Sequence, residues 1–172
     1  MWVYKMQKKA VYAGSFDPVT IGHLWIIEQA ASMFDKVIVA IGGNVDKNYT
    51  FSLEERIELL KEVTSEFNNI EISEFNNEFL INYAQRINAQ YIIRGIRNAS
   101  DYEYEKRMRY VNSDICDDIN TIFLIPPRNV SEISSSLVKG LVGSKNWESV
   151  VKKYVPEPVI QAMLKWEQKN AR

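Results

Sequence analysis

A glycine, a hydroxyl, a carboxylate and an imidazole crowd into one short stretch, Gly14-Ser15-Phe16-Asp17-Pro18-Val19-Thr20-Ile21-Gly22-His23. Val11 and Tyr12 ahead of it read as the end of a β-strand, and the apolar residues after His23 as a helix. Gly14 allows a tight turn in which the backbone can approach a ligand. Pro18 fixes its own φ and lacks a donor, which holds the loop open ahead of the helix. Thr20, Gly22 and His23 then fall where the helix starts, and the positive partial charge of a helix N-terminus suits an anion. Together these features predict a phosphate site. Neither the dinucleotide fingerprint G-x-G-x-x-G nor the P-loop G-x-x-x-x-G-K-[ST] occurs in the chain.

Further polar groups recur downstream. Arg94 and Arg97 flank Gly95, and arginines around a glycine at a strand end favour phosphate binding. Ser134-Ser135-Ser136 reads as a helix N-cap cluster, a role compatible with holding phosphate. Asp17, standing before proline in a turn, reads as structural rather than as a base. The run Asp101 to Arg107 reads mostly as a solvated helix face, and Cys116 as an unremarkable thiol.

A strand–helix alternation positions these groups. Leu24, Ile27, Ala31 and Phe34 recur at helical spacing. Lys36 to Ile41 is a β-branched run ending at Gly42-Gly43, and the polar stretch from Asn44 to Phe51 reads as a mobile loop. Ser52-Leu53-Glu54-Glu55 is a capping box, with Leu53, Ile57 and Leu60 as the apolar stripe behind it. Ile70 to Phe75 alternates like a strand, and a helix over 78–88 turns Leu80, Tyr83, Ala84 and Ile87 inward. Tyr91-Ile92-Ile93 is a fourth strand, Asp101 to Cys116 a charged helix, and Thr121 to Ile125 a fifth strand stopped by Pro126-Pro127. Helices near Ser134, over Trp147 to Tyr154, and after Pro156 complete the chain, the last with Val159, Met163 and Trp166 on one face.

Alternating strands and helices imply crossover connections and a parallel sheet. The expectation is a single α/β domain over 1–172, Rossmann-like, with a five-stranded parallel sheet covered on both faces. Residues 1–7 would be a flexible lead-in and 146–172 C-terminal helices. In such a sheet ligands bind beyond the carboxyl ends of the strands. Ser15 follows the first strand, Lys47 the second, Arg94 and Arg97 the fourth, and Ser131 to Ser136 the fifth, so separate segments converge on one edge.

Composition narrows the function. A formal net charge of -1 argues against a dedicated nucleic-acid surface. One cysteine cannot form an intramolecular disulfide, which fits a reducing compartment. The longest apolar runs fall short of a membrane span, and the amino end is short for a secretory signal, so a cytoplasmic location is expected.

Gly14-Ser15-Phe16-Asp17-Pro18 followed by Thr20-x-Gly22-His23 resembles the nucleotidyltransferase signature, whose core is T-x-G-H or H-x-G-H. Ile93-Arg94-Gly95-Ile96-Arg97 and Ile133-Ser134-Ser135-Ser136 resemble, in the same order, the phosphopantetheine adenylyltransferases of bacterial coenzyme A biosynthesis, and the likeness runs from Lys8 to Met163. The resemblance implies transfer of the adenylyl group of ATP to 4′-phosphopantetheine, giving 3′-dephospho-coenzyme A and pyrophosphate. It implies that His23 is the catalytic donor to the α-phosphate. Ser15, Lys47, Leu80 and Arg94 would hold the acceptor. Ser15, Phe16, His23, Gly95, Ile96, Arg97 and Glu105 would line ATP, with Val130, Ser131, Glu132, Ile133, Ser134, Ser135 and Ser136 around its phosphates and base. Mg²⁺ would arrive with ATP, and no acidic or histidine cluster suggests a protein-built metal cage.

The resemblance also implies a homohexamer built as a dimer of trimers and feedback inhibition by coenzyme A. Tyr102, Tyr104 and Tyr110 around the charged helix would allow a self-association face. Ala13, Ile21, Trp25, Leu80, Val130 and Glu132 depart from the family's usual residues, though none removes a charge that the chemistry requires. Two alternatives stay open: a sister nucleotidyltransferase acting on nicotinate mononucleotide or glycerol 3-phosphate, and a non-catalytic nucleotide- or coenzyme A-binding regulator.

Overall fold

Short apolar runs become the inner strands of this chain because both of their faces are buried, while the outer strand Ile70–Phe75 mixes half-buried and exposed residues. The computed structural model describes residues 7–43 and 48–170; Lys47 and the lead-in through residue 6 lie outside those ranges. Strands Lys9–Gly14 (β1), Lys36–Gly42 (β2), Ile70–Phe75 (β3), Tyr91–Gly95 (β4) and Asn120–Leu124 (β5) form one sheet in the order β3-β2-β1-β4-β5. Every pairing is parallel. Side chains alternate between two cores. Ala10, Tyr12, Val37, Val39 and Ile93 enter one, while Val11, Ala13, Ile38, Ala40 and Ile92 enter the other.

Helices α1 (Ile21–Met33) and α2 (Leu53–Val63) pack on the first face. They are joined there by the four C-terminal helices: α5 (Arg128–Ser131), α6 (Ser135–Leu141), α7 (Trp147–Val151) and α8 (Glu157–Asn170). Helix α3 (Leu80–Arg86) covers the second face with Ile81, Tyr83 and Ala84, and α4 (Ala99–Ile115) ends at Cys116 beside it. The expected fold class is thus observed. The chain steps outward from β1 through β2 to β3, then returns to the opposite side of β1 for β4. A crevice therefore opens where the order reverses, beyond Gly14 and Gly95.

Three local departures have physical causes. Helix α1 carries apolar residues on every side, so its sequence marks no single face clearly; Ile26, Ile27 and Ala30 are the buried ones, and Phe34 already lies past the helix end as its C-cap. The short helix α5 follows Pro126-Pro127 and gives no periodic signal over four residues. The stretch expected to be mobile before α2 is tied down in its described part, since Asp17 accepts the amides of Thr50 and Phe51. The capping box on α2 forms as expected: Ser52 accepts the Glu55 amide at 3.2 Å, and Glu55 accepts the Ser52 amide at 2.8 Å.

Ile93, with 0% exposure in a central strand, should lose about 2–5 kcal/mol of stability when changed to Ala. Ser52→Ala should cost only about 1 kcal/mol. Urea denaturation followed by circular dichroism checks both, and a larger loss at the cap would contradict a fold held mainly by its sheet core.

Candidate active site

Thr20 and His23 begin the site because they close the N-terminus of α1. Thr20 sits in extended backbone as the N-cap, and His23 occupies the position where a capping box usually carries Glu or Gln. The Thr20 backbone N–H donates to His23 Nδ1 at 3.1 Å, and Thr20 Oγ1 lies 3.1 Å from the same nitrogen. A backbone N–H can only donate, so Nδ1 is the acceptor and the ring proton resides on Nε2. Burial disfavours the imidazolium, Arg97 opposes it further, and the pKa falls to about 4. His23 is therefore a neutral imidazole presenting an Nε2–H donor at a helix start.

The loop before it is shaped by Phe16. The left-handed residue of the turn is Phe16, with φ of 47°. Gly14 is needed for a different reason: a Cβ there would come within 3.1 Å of the Phe16 ring. That buried ring stands edge-on to His23, with centroids 5.1 Å apart, and edge-on to Tyr12 at 5.5 Å. Gly22 serves close packing as well, since a Cβ would meet the carbonyl oxygens of Val130 at 3.4 Å and Ile133 at 3.5 Å.

Two cavities flank this loop. The first, of about 320 Å³, is lined by Gly14, Thr20, Gly22, His23, Gly95, Arg97, Glu105, Val130, Ile133 and Ser134, with Tyr12, Asp101 and Tyr104 among their neighbours. The second, of about 340 Å³, is lined by Ser15, Gly42, Gly43, Tyr49, Phe75, Phe79, Leu80, Ile92, Met108 and Arg109. Ala13, Gly14, Arg94, Tyr104 and Glu105 line both, so the cavities meet beside the end of β1.

At that junction Arg94 donates to the Ala13 carbonyl at 2.9 Å and is ion-paired with Glu105. Burial works against the Arg94 charge, but the hydrogen bond and charge of Glu105 outweigh it and raise the pKa. Arg97 is held by Asp101, whose carboxylate accepts its Nε at 2.8 Å and its backbone amide at 3.1 Å. That hydrogen bond also holds the Asp101 carboxyl below its ordinary range. Tyr12 stays a phenol, its pKa pushed up to about 12 by burial.

Most of the residues expected at the site do converge. His23, Gly95, Arg97, Glu105, Val130, Ile133 and Ser134 face the first cavity, and Ser15, Leu80, Arg94 and Glu105 the second. Phe16 supports His23 from beneath, and Ile96 is buried with its amide on the Leu124 carbonyl. Ser131, Glu132, Ser135 and Ser136 do not line either cavity. Ser131 Oγ donates to Arg128 O at 3.2 Å, and Ser135 Oγ donates to Pro18 O at 2.8 Å. Ser134 caps α6 through the Leu137 amide. Sequence reasoning missed Tyr49, Asp101, Tyr104 and Arg109 as lining groups. Only the i,i+4 spacing of Arg97 and Asp101 carried a signal.

A family model described as cytidylyltransferase-like matches residues 11–141. Among curated relatives, a phosphopantetheine adenylyltransferase of Chromobacterium violaceum is 59% identical over 157 residues, covering 91% of this chain and 96% of that protein. One from Neisseria meningitidis serogroup C is 52% identical over 157 residues, covering 91% and 92%. Among solved structures, a nicotinic acid mononucleotide adenylyltransferase of Plasmodium falciparum complexed with NaAD matches with a TM-score of 0.68. It covers 94% of this chain and 96% of that one at 17% identity, a likeness of fold.

His23 is the single histidine of the chain, so its imidazole proton can be titrated by NMR without assignment. The expected midpoint lies near 4, well below the ordinary value of 6.5. Between those two values the unfolded chain binds a proton that the folded protein does not, so stability should fall as pH drops through that window. A midpoint near 6.5 would contradict the neutral, Nδ1-accepting ring.

Proposed function

The chain belongs to the cytidylyltransferase-like family, within its phosphopantetheine adenylyltransferase branch, and from that premise we propose that it transfers the adenylyl group of ATP to 4′-phosphopantetheine. A phosphate oxygen of the acceptor attacks the α-phosphorus of ATP. The new P–O bond forms as the bond to the β-phosphate oxygen breaks, yielding 3′-dephospho-coenzyme A and pyrophosphate. This reaction asks the protein mainly for positioning and charge stabilisation. The observation that carries the reading is the meeting of two cavities at Arg94, with a neutral imidazole at the α1 start on one side.

ATP occupies the first cavity. His23 Nε2–H donates to the α-phosphate, where negative charge grows in the transition state, and Arg97 and Ser134 attend the remaining phosphates. Gly95 permits close approach, and Val130 and Ile133 provide the apolar wall beside the base. Phosphopantetheine occupies the second cavity, whose Phe75, Phe79, Leu80, Ile92 and Met108 suit an extended, largely aliphatic arm. Ser15, Arg94 and Lys47 attend its phosphate. Glu105 acts through Arg94, and Phe16 keeps His23 in place.

Mg²⁺ enters on the triphosphate. The two carboxylates lining the nucleotide cavity, Asp101 and Glu105, are each paired with an arginine, and the described residues contain no cluster suited to a resident metal. Phosphate oxygens and water would therefore supply its ligands.

Coenzyme A carries both the arm and the adenine, so it fits the two cavities together and inhibits by occupying them. The protein works in the cytoplasm as a homohexamer. Helix α4 supports assembly: its one buried residue is Glu105, while Tyr102, Tyr104, Tyr110, Val111 and Ile115 are exposed. No described helix is long and apolar enough to cross a membrane.

Pyrophosphate release with ATP, Mg²⁺ and 4′-phosphopantetheine tests the reaction. Release with nicotinate mononucleotide but not with phosphopantetheine would move the acceptor. His23→Ala should lower turnover by about 10²–10³-fold while leaving ATP affinity within about threefold; equal losses in both would assign His23 to ground-state binding. Light scattering should give six times the chain mass of 20.0 kDa. A clean monomer at working concentration would remove the hexamer.

A further inference from the structure

Asp17 is 2% exposed, yet it lines neither cavity. Its carboxylate accepts the Thr50 amide at 3.0 Å, the Phe51 amide at 3.0 Å and the Lys139 ammonium at 2.9 Å. The donors come from two segments far apart in the chain, the stretch before α2 and helix α6. Each is needed, because a buried carboxylate without partners is costly.

A second tie runs parallel to this one. Arg56, 4% exposed on α2, donates from Nη1 to the Ser15 carbonyl at 2.8 Å and from Nε to the Ser52 carbonyl at 3.3 Å. Its guanidinium also stands 4.0 Å from the centroid of the Tyr49 ring. Tyr49, with Gly42, Gly43 and Ser15, walls the second cavity. From the other side, Ser135 Oγ grips the Pro18 carbonyl at 2.8 Å. Residues 15–18 are therefore held from one side by Arg56 and the Thr50 and Phe51 amides, and from the other by Ser135 and Lys139 of α6.

We infer that Asp17 is a positioning residue for the acceptor: through the amides of Thr50 and Phe51 it fixes the Tyr49 wall of the second cavity against Ser15 and Arg94. The inference rests on the adenylyl-transfer reading. Asp17 exchanges no proton with substrate and touches none of the reacting atoms. Its charge organises the backbone beside the cavity, and Lys139 keeps that charge compensated. The residue before Thr50 in the chain, Tyr49, is steadied in turn by the Arg56 guanidinium over its ring.

Asp17→Asn preserves shape and removes the charge. Steady-state kinetics should show the KM for phosphopantetheine rising about tenfold, a loss on the scale that small misplacements cause. The kcat and the KM for ATP should each stay within about threefold. Lys139→Met should shift the acceptor KM in the same direction by less, and Lys139→Arg should restore it. Hydrogen exchange should show the Thr50 and Phe51 amides losing protection in Asp17→Asn while the β1 amides keep theirs. Equal rises in both KM values, a fall in kcat alone, or an unchanged acceptor KM would overturn the proposal. If Asp17→Asn does not fold, the two Lys139 variants decide the same question. Absence of turnover by the unmodified protein would overturn adenylyl transfer and the acceptor role with it, whereas exchange at the two amides would still show whether Asp17 holds this segment.

Discussion

The Thr20 backbone N–H ends on Nδ1 of His23, and that hydrogen bond serves structure and chemistry together. As structure, it satisfies one of the donors that every helix start leaves without an intrahelical partner. As chemistry, it orients the imidazole, sets its tautomer and leaves the proton on the far nitrogen. A glutamate would close the same capping box but would bring negative charge to a phosphate site. The imidazole closes it without charge, and burial and Arg97 keep it that way. The parallel sheet supplies the rest, since it delivers the start of α1 to the crevice between β1 and β4.

Cations near the crevice arrive with carboxylates of their own. Arg94 carries Glu105, and Arg97 carries Asp101. An unpaired guanidinium between two cavities would be hard to keep desolvated before any phosphate is present. Pairing lets it wait in place, its fork already directed by the Ala13 carbonyl. On the proposed reading, an incoming phosphate would compete with a carboxylate for donors that are already oriented, leaving less ordering to be done on binding. The chain's formal net charge of -1 hides this arrangement, because Arg94 and Arg97 are each matched by a local carboxylate.

The strands are legible in the sequence because the inner ones are short apolar runs and Ile70 to Phe75 alternates, and the capping box of α2 because its spacing is fixed. The convergence of Ser15, Arg94, Arg97 and Ser134 was legible too, since strand ends in a parallel sheet must share an edge. Most of what stayed hidden lies in contacts that only the fold creates. Gly14 looked like the flexible residue of the turn, yet the left-handed backbone falls on Phe16 and the glycine makes room for its ring. Glu105 was singled out from its charged run only through the family resemblance, and its pairing with Arg94 came from the fold. Arg56 followed a helical pattern with nothing to mark it as buried. The structural reading of Asp17 agrees with its contacts, but its partners at Thr50, Phe51 and Lys139 lie 33, 34 and 122 residues away.

Those distant partners change what the opening motif means. The Ile21 amide, which a bare helix start would offer to an anion, donates instead to the Tyr154 carbonyl at 3.0 Å. The His23 amide turns to Thr20 Oγ1, 3.4 Å away. Anion binding at α1 therefore relies less on the helix terminus alone than the sequence suggested, and more on the imidazole and the arginines. The chain from α5 to the loop after α7 supplies the closure: Val130 and Ile133 pack over Gly22, Ser135 holds Pro18, Lys139 holds Asp17, and Tyr154 takes the Ile21 amide. A motif of ten residues thus takes its geometry from Arg56, Thr50 and Phe51 together with the C-terminal segment that docks on it. Substitutions over 130–154 can consequently reach the chemistry without touching a ligand, by loosening the start of α1 on which His23 stands.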